Sequence, residues 1–121
     1  MSEFVIQQHQ QEQQVHWYLM LKKGSSLATW QVFNPPSEWP QKNLECRHIF
    51  NHRLKYLTYQ GPLNDNREHV QIIAAGQYQP VEITENCWRV TLISDKINGQ
   101  LELQHQKQDQ WLMQFTGECL C

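Results

Sequence analysis

Short runs of β-branched and aromatic residues with a period of two recur along the whole chain, while long stretches with the helical period of 3.6 do not. Many short strands at roughly ten-residue spacing are typical of antiparallel sandwiches and barrels. We therefore predict an all-β fold, a compact antiparallel β-barrel of about eight or more strands. The predicted strands are Glu3 to Gln8, His16 to Lys22, Ala28 to Phe33, Glu45 to Phe50, Leu54 to Tyr59, Val70 to Ala75, Gln79 to Ile83, Trp88 to Ser94, Gly99 to His105 and Gln110 to Thr116.

Turn signals separate these runs. They are Lys23-Gly24-Ser25-Ser26, Asn34-Pro35-Pro36-Ser37, Gly61-Pro62-Leu63-Asn64-Asp65-Asn66, Gly76-Gln77 and Asn98-Gly99. Asn98-Gly99 suits a two-residue hairpin, because both central positions of a type I′ turn need positive φ. Pro36 to Asn43 has room for one short helical turn at most, because its two prolines forbid a long helix.

Composition limits the class of protein. A chain of 121 residues that is 40% hydrophobic and has 5 Trp, 4 Tyr and 4 Phe is expected to form a single domain over residues 1–121. No apolar run is long enough for a bilayer, and no secretory pattern opens the chain, so a cytoplasmic location and no membrane partner are expected. With a net charge of −2, the chain lacks the excess of basic residues that is typical of a duplex-DNA-binding protein.

Four cysteines, Cys46, Cys87, Cys119 and Cys121, form no CxxC pair and no zinc-ribbon spacing. Cys119 and Cys121 are expected to belong to a frayed end rather than a redox site. In a reducing compartment none of the four needs a disulfide partner.

Histidines mark the candidate site. His9 directly follows the first predicted strand, His16 opens the next one, and His52 follows later. Neutral imidazole is the commonest metal ligand near neutral pH. The alternative to a ligand role is that His9 is an exposed residue without a specific role, and that His16 and His52 are core or edge histidines whose hydrogen bonds are made within the protein. His48, His69 and His105 are expected to be surface residues.

Trp30, Trp88 and Trp111 fit the core. A base-stacking surface is the alternative to core packing for Trp17, Tyr18, Tyr56 and Tyr59.

The order of motifs resembles that of the 3′-phosphoesterase domain of bacterial DNA ligase D. The family opens with "FVIQ-x-H", continues with "LHYDFRLE-x-x-G-x-L-x-SWAVPKGPS" and then "EDHPLEY-x-x-FEG". The corresponding segments here are Phe4 to His9, Val15 to Leu21 with Gly24, Leu27 and Thr29 to Val32, Asn34 to Ser37, and Asn51 to Gly61. The order is kept over roughly Phe4 to Phe115.

The resemblance implies a metal-dependent removal of 3′-terminal ribonucleotides and 3′-phosphates from nucleic-acid ends. Carried over by motif, His9 and His16 match the metal histidines. His52 and Tyr56 match the histidine and tyrosine that contact the reacting phosphate, and they are the predicted catalytic residues. A divalent metal, Mn²⁺ or Zn²⁺, is the implied cofactor, and nucleic-acid 3′ ends or a repair protein are the implied partners.

Two substitutions separate this chain from the family pattern. Tyr18 stands where the family has the metal-binding aspartate, and Met20 stands where it has the phosphate-gripping arginine. A phenolate ligand is disfavoured because the reference pKa of tyrosine is about 10. Glu12 and Glu45 are the candidates to replace the carboxylate, and Arg47, Arg53 and Lys55 are the candidate phosphate cations. The His9–His16 loop is also one residue longer, and Asn64 to Glu68 replaces a glycine-rich family segment.

Three hypotheses follow. The first is a 3′-phosphoesterase-like enzyme with a weakened or inactive site. The second is a non-catalytic module on the same fold that binds nucleic-acid ends or a repair partner. The third is a barrel that binds a small molecule or a protein and has kept only the fold.

Overall fold

In the part of the chain that the structure describes, nine antiparallel strands form one sheet that closes on itself. The structure is a computed structural model that describes residues 1–41 and 43–121. The strands are β1 (Ser2–Gln11), β2 (Gln14–Lys23), β3 (Ser26–Val32), β4 (Leu44–Arg53), β5 (Gly61–Leu63), β6 (Glu68–Ile83), β7 (Cys87–Ser94), β8 (Ile97–Lys107) and β9 (Gln110–Cys119). The barrel order is β1-β2-β3-β4-β9-β8-β7-β6, closed by β1–β6 pairing, and β5 adds to the start of β6. The prediction of an antiparallel β-barrel is confirmed.

Two predicted turns are wrong because their glycines serve close contact between strands. Gly76 lies inside β6, where a Cβ atom would come within 2.3 Å of the carbonyl oxygen of Ile93. Gly99 lies inside β8, where a Cβ would come within 2.3 Å of the carbonyl oxygen of Thr116. The β7–β8 hairpin instead turns between Ser94 and Ile97, where the Ser94 hydroxyl accepts a hydrogen bond from the Ile97 amide at 2.9 Å. Glycine in a strand is typical of such close backbone approach.

Two 3-10 turns interrupt the strands in the described part of the chain. The turn Pro36–Gln41 was predicted, and its Trp39 is fully buried. The turn Leu54–Leu57 was not predicted, since Leu54 to Tyr59 had the pattern of a strand. The buried Gln7 side chain donates a hydrogen bond to the carbonyl oxygen of Tyr56 at 2.6 Å, which ties this turn to β1.

The sheet is buried on both faces around β1 and β2. The barrel interior holds the main core, including Trp30, Trp88 and Trp111 as predicted. A second apolar patch, made of Val5, Met20 and Leu27, lies on the opposite face beneath Tyr18, Ile72 and the Tyr56–Leu57 turn. The candidate site lies beside this second patch. Among the described residues no helix is long and apolar enough to cross a membrane.

Candidate functional site

The β1–β2 hairpin places the first two candidate histidines side by side. His9 is the direct cross-strand partner of His16, so both side chains project from the same face. The hairpin turns at Glu12, which has a φ of 52°, and the two strands pair without a shift from Gln11–Gln14 to Phe4–Leu21. His9 is buried, whereas His16 is half-buried and meets the ring of Phe33 edge-on.

Both ring nitrogens of His9 lie against protein oxygens. Nδ1 is 2.5 Å from Oε1 of Glu68, and Nε2 is 2.9 Å from Oε1 of Gln7. Burial lowers the pKa of His9 below its ordinary value, the Glu68 carboxylate opposes this shift, and His16 adds to it. Gln7 Nε2 donates to the Tyr56 carbonyl, so Gln7 Oε1 faces His9 as an acceptor. Both contacts are N–H···O hydrogen bonds in the protonated ring, which Glu68 favours and burial opposes, whereas the neutral ring donates to one of the two. In either form both ring nitrogens lie against residues of the same chain.

A left-handed turn delivers Glu68 to His9. Asn64, Asp65 and Asn66 all have positive φ, between 53° and 69°, which Asn and Asp tolerate better than most residues. Glu68 follows at the start of β6, and the Asn64 side-chain amide donates a hydrogen bond to its Oε2 at 3.0 Å. This segment is the one that replaces the glycine-rich segment of the family pattern.

Sequence reasoning missed Glu68. Of the two carboxylates it proposed instead, Glu12 is exposed in the β1–β2 turn, and Glu45 is exposed in β4 opposite Leu112 of β9. The signal was the Asn64-Asp65-Asn66 run, whose tolerance of positive φ allows a tight turn directly before the carboxylate.

Tyr18 fills the position of the family's metal-binding aspartate. Its ring centroid is 4.2 Å from that of His9, and its hydroxyl accepts a hydrogen bond from the Gln31 side-chain amide at 3.2 Å. Burial raises the pKa of Tyr18, and the nearby Glu68 charge raises it further. The phenolate form is thus even less accessible here than in water.

Met20 fills the position of the family's arginine and is fully buried in the second apolar patch. Of the three candidate phosphate cations, Arg47 is engaged elsewhere, because its guanidinium pairs with Asp109 at 2.6 Å. Lys55 places its Nζ 5.2 Å from the centre of the Tyr56 ring, and Arg53 is exposed at the end of β4. Of these three, Arg53 and Lys55 are the cations that lie beside His52 and Tyr56.

His52 and Tyr56 border the same face. The His52 ring lies 6.4 Å from that of Tyr18 and 5.6 Å from that of Tyr56. His52 Nδ1 donates a hydrogen bond to the carbonyl oxygen of Phe50 at 3.1 Å, which leaves Nε2 as its other polar atom. Burial lowers the pKa of His52, the Phe50 carbonyl opposes this, and His9 adds to it. The structure thus brings His9, His16, His52 and Tyr56 together.

The remaining histidines lie away from this group. His69 is exposed, as predicted. His48 and His105 are half-buried instead, because His48 stacks on Trp30 at 4.4 Å and His105 packs against Trp111 at 5.5 Å.

The residues present do not fit a metal site of the family type. A metal-bound histidine uses one nitrogen for the metal and donates from the other. His9 meets protein oxygens at both nitrogens, and Tyr18 offers no carboxylate. Within residues 1–41 and 43–121, no group of three or more His, Cys, Asp or Glu residues is arranged to hold an ion. Metal ligation by His9 and His16 and catalysis by His52 and Tyr56 stay predictions.

Comparison with known families gives a match that spans most of the chain. The family model of the DNA ligase D 3′-phosphoesterase domain matches residues 7–114. No curated protein matches the chain. The matched range includes all four candidate residues, and the family ties the chain to DNA-end processing in general terms. The chain belongs to the family of DNA ligase D 3′-phosphoesterase domains.

Proposed function

We propose that this chain binds nucleic-acid 3′ ends at the face formed by His9, His16, His52 and Tyr56, without the metal-dependent phosphoesterase reaction of its family. The observation that carries the proposal is the engagement of both His9 nitrogens by Glu68 and Gln7. A metal would have to displace one of these partners to reach the ring.

The loss of charge at the site supports this proposal. Phosphoryl transfer depends on placed charge that stabilises the developing negative charge. Tyr18 and the buried Met20 supply none at the two positions where the family has an aspartate and an arginine. Glu68 adds a negative charge beside His9, but its oxygens are engaged by His9 and Asn64.

The surroundings of His52 support binding of an end. His52, Tyr56, Arg53 and Lys55 line one cavity of about 300 Å³, and no carboxylate is among the described residues that line it. A terminal phosphate needs hydrogen-bond donors and positive charge, both of which this cavity offers. The chain as a whole, at a net charge of −2, gives little non-specific attraction for a duplex.

The test is binding of a labelled primer-template with a 3′-phosphate, followed by fluorescence anisotropy in excess EDTA and again in Mn²⁺. We expect tighter binding of the 3′-phosphate than of a 3′-hydroxyl, and equal affinity in both buffers. His52→Ala removes a hydrogen bond to a charged group, worth about 1.5–3 kcal/mol, and should weaken binding by roughly tenfold to a hundredfold.

His69→Ala is the matched control. His69 is an exposed histidine next to Glu68 in β6, and its side chain points to the face of the strand opposite to that of Glu68. It should leave the affinity unchanged. Binding that requires Mn²⁺ would contradict the proposal and favour a working, weakened phosphoesterase. Equal affinity for both 3′ termini would also contradict it.

A further inference from the structure

Phe50 is an unusually exposed aromatic residue beside the candidate site. It lies near the end of β4 with 76% of its surface accessible. Its ring is stacked on that of His52, with centroids 4.9 Å apart and planes within 10° of parallel. Since His52 covers one face of the ring, the accessible area leaves the other face open to solvent.

The aromatic rings continue from Phe50 into the site. His52 meets Tyr56 edge-on at 5.6 Å, and Tyr56 meets Tyr59 edge-on at 5.9 Å. Phe50 is therefore the outermost ring of a series that begins at the candidate phosphate contacts. A flat, exposed ring beside His52 offers a stacking surface for a base next to the site.

Charge and backbone geometry around Phe50 suit a nucleic-acid strand. Arg53 and Lys55 line the same cavity as Phe50, with no carboxylate among the described lining residues. β4 pairs with β9 only from Leu44 to Arg47, so within the described residues the β4 edge beyond that point is not covered by another strand. A single strand has room to approach Phe50 from this side.

We infer that Phe50 stacks on an unpaired nucleobase next to the 3′ end, so that the site prefers single-stranded 3′ overhangs to blunt duplex ends. A base in a blunt duplex is already stacked and paired, and it would have to separate from its neighbours before it could lie on the Phe50 ring. This inference rests on the proposed function, since it names the form of nucleic acid that the same site takes.

The test uses short duplexes with a 3′ overhang that carries 2-aminopurine at the last or the penultimate position. The fluorescence of 2-aminopurine changes when the base stacks on another ring, so it reports the contact directly. Wild-type protein should change the signal and bind the overhang more tightly than a blunt duplex. Phe50→Ala should abolish the change and weaken overhang binding by about 5- to 150-fold, the loss expected for one base–aromatic stack.

Three further variants separate stacking from general apolar contact. Phe50→Trp should keep the signal and the affinity, whereas Phe50→Leu, which keeps bulk but not the ring, should behave like Phe50→Ala. Ile93→Ala removes exposed apolar area from β7, where Ile93 is 41% accessible, and should change nothing. Because Phe50 is so exposed, the thermal midpoint of each variant should match that of the wild type.

The outcomes distinguish this inference from the proposed function. If His52→Ala weakens binding of 3′-phosphate ends while Phe50→Ala leaves overhang binding intact, the stacking inference is wrong and end binding stands. If Phe50→Ala weakens binding of single strands whether or not a 3′ end is present, stacking stands and end recognition falls. Absence of any binding at low salt would overturn both.

Discussion

Replacing Glu68 by alanine should destabilise the fold through His9. The two side chains are only 9% and 14% exposed, for His9 and Glu68 respectively, so solvent screens their 2.5 Å contact weakly. A hydrogen bond to a charged group contributes about 1.5–3 kcal/mol, and the substitution also leaves the buried Nδ1 of His9 without its partner. We therefore expect Glu68→Ala to lower the free energy of unfolding by about 2–3 kcal/mol.

Urea unfolding followed by tryptophan fluorescence measures this effect, because four of the five tryptophans are buried. At roughly 4 °C per kcal/mol for a domain of this size, the thermal midpoint should fall by about 8–12 °C. Glu68→Gln keeps an acceptor for Nδ1 and should cost about 1 kcal/mol. Glu45→Ala is the matched control, since Glu45 is exposed in β4, and it should stay within about 0.5 kcal/mol of wild type.

A double-mutant cycle with His9→Ala isolates the pair itself. Residues in direct hydrogen-bond contact show coupling of about 0.5–3 kcal/mol, and we expect a value above about 1 kcal/mol here. If Glu68→Ala is as mild as Glu45→Ala and the coupling vanishes, Glu68 does not hold His9. One nitrogen of His9 would then be free for a metal, and the reasoning for a non-metal site would be refuted.

Other predictions concern Met20, His52 and Cys46. Met20→Arg restores the family residue but places a cation in a fully buried apolar patch, so urea unfolding should show a free energy of unfolding lower by about 3–5 kcal/mol. The control Met20→Leu keeps the patch apolar and should lower it by less than about 1.5 kcal/mol. The pKa of His52 in the folded state lies below its ordinary 6.5, so near that pH the unfolded chain binds more protons than the folded one. The free energy of unfolding should therefore fall as the pH drops below 6.5, and it should fall less steeply in His52→Asn. Over the same range, affinity for a 3′-phosphate should rise as the ring becomes protonated. Burial raises the pKa of the Cys46 thiol to about 12, so iodoacetamide at mildly alkaline pH should modify it only after denaturation, as mass spectrometry of the peptide would show.

The barrel was predictable because alternation is a local property of each strand. The turn at Gly24 was predicted correctly, but those at Gly76 and Gly99 were not, because these two glycines lie inside strands and are required by the carbonyl oxygens of neighbouring strands. The Leu54–Leu57 turn was hidden for the same reason. Its position depends on a hydrogen bond from Gln7, a residue 49 positions earlier in the chain.

The residues of the candidate site that match family motifs could be predicted from the sequence, whereas the contact of Glu68 with His9, which matches no motif, could not. His9 pairs with His16 across the β1–β2 hairpin, and Tyr18 links His9 to His52, which in turn meets Tyr56. Their metal and catalytic roles stay predictions. Glu68 was missed because it reaches His9 across 59 positions. Phe50 does have a local signal in the sequence. Ile49 and Phe50 are consecutive apolar residues in a strand, so their side chains point to opposite faces of the sheet and one of the two is expected to be exposed.

The most direct test is an activity assay with Mn²⁺ or Zn²⁺ on a primer-template that ends in one ribonucleotide or a 3′-phosphate. If the chain binds 3′ ends but does not catalyse the family reaction, the amount of product will not exceed the protein-free background. His16→Ala and His52→Ala will then give the same amount of product as the wild type. Product that forms with wild-type protein, and disappears in both variants, would contradict the central claim and restore a working metal site at His9 and His16.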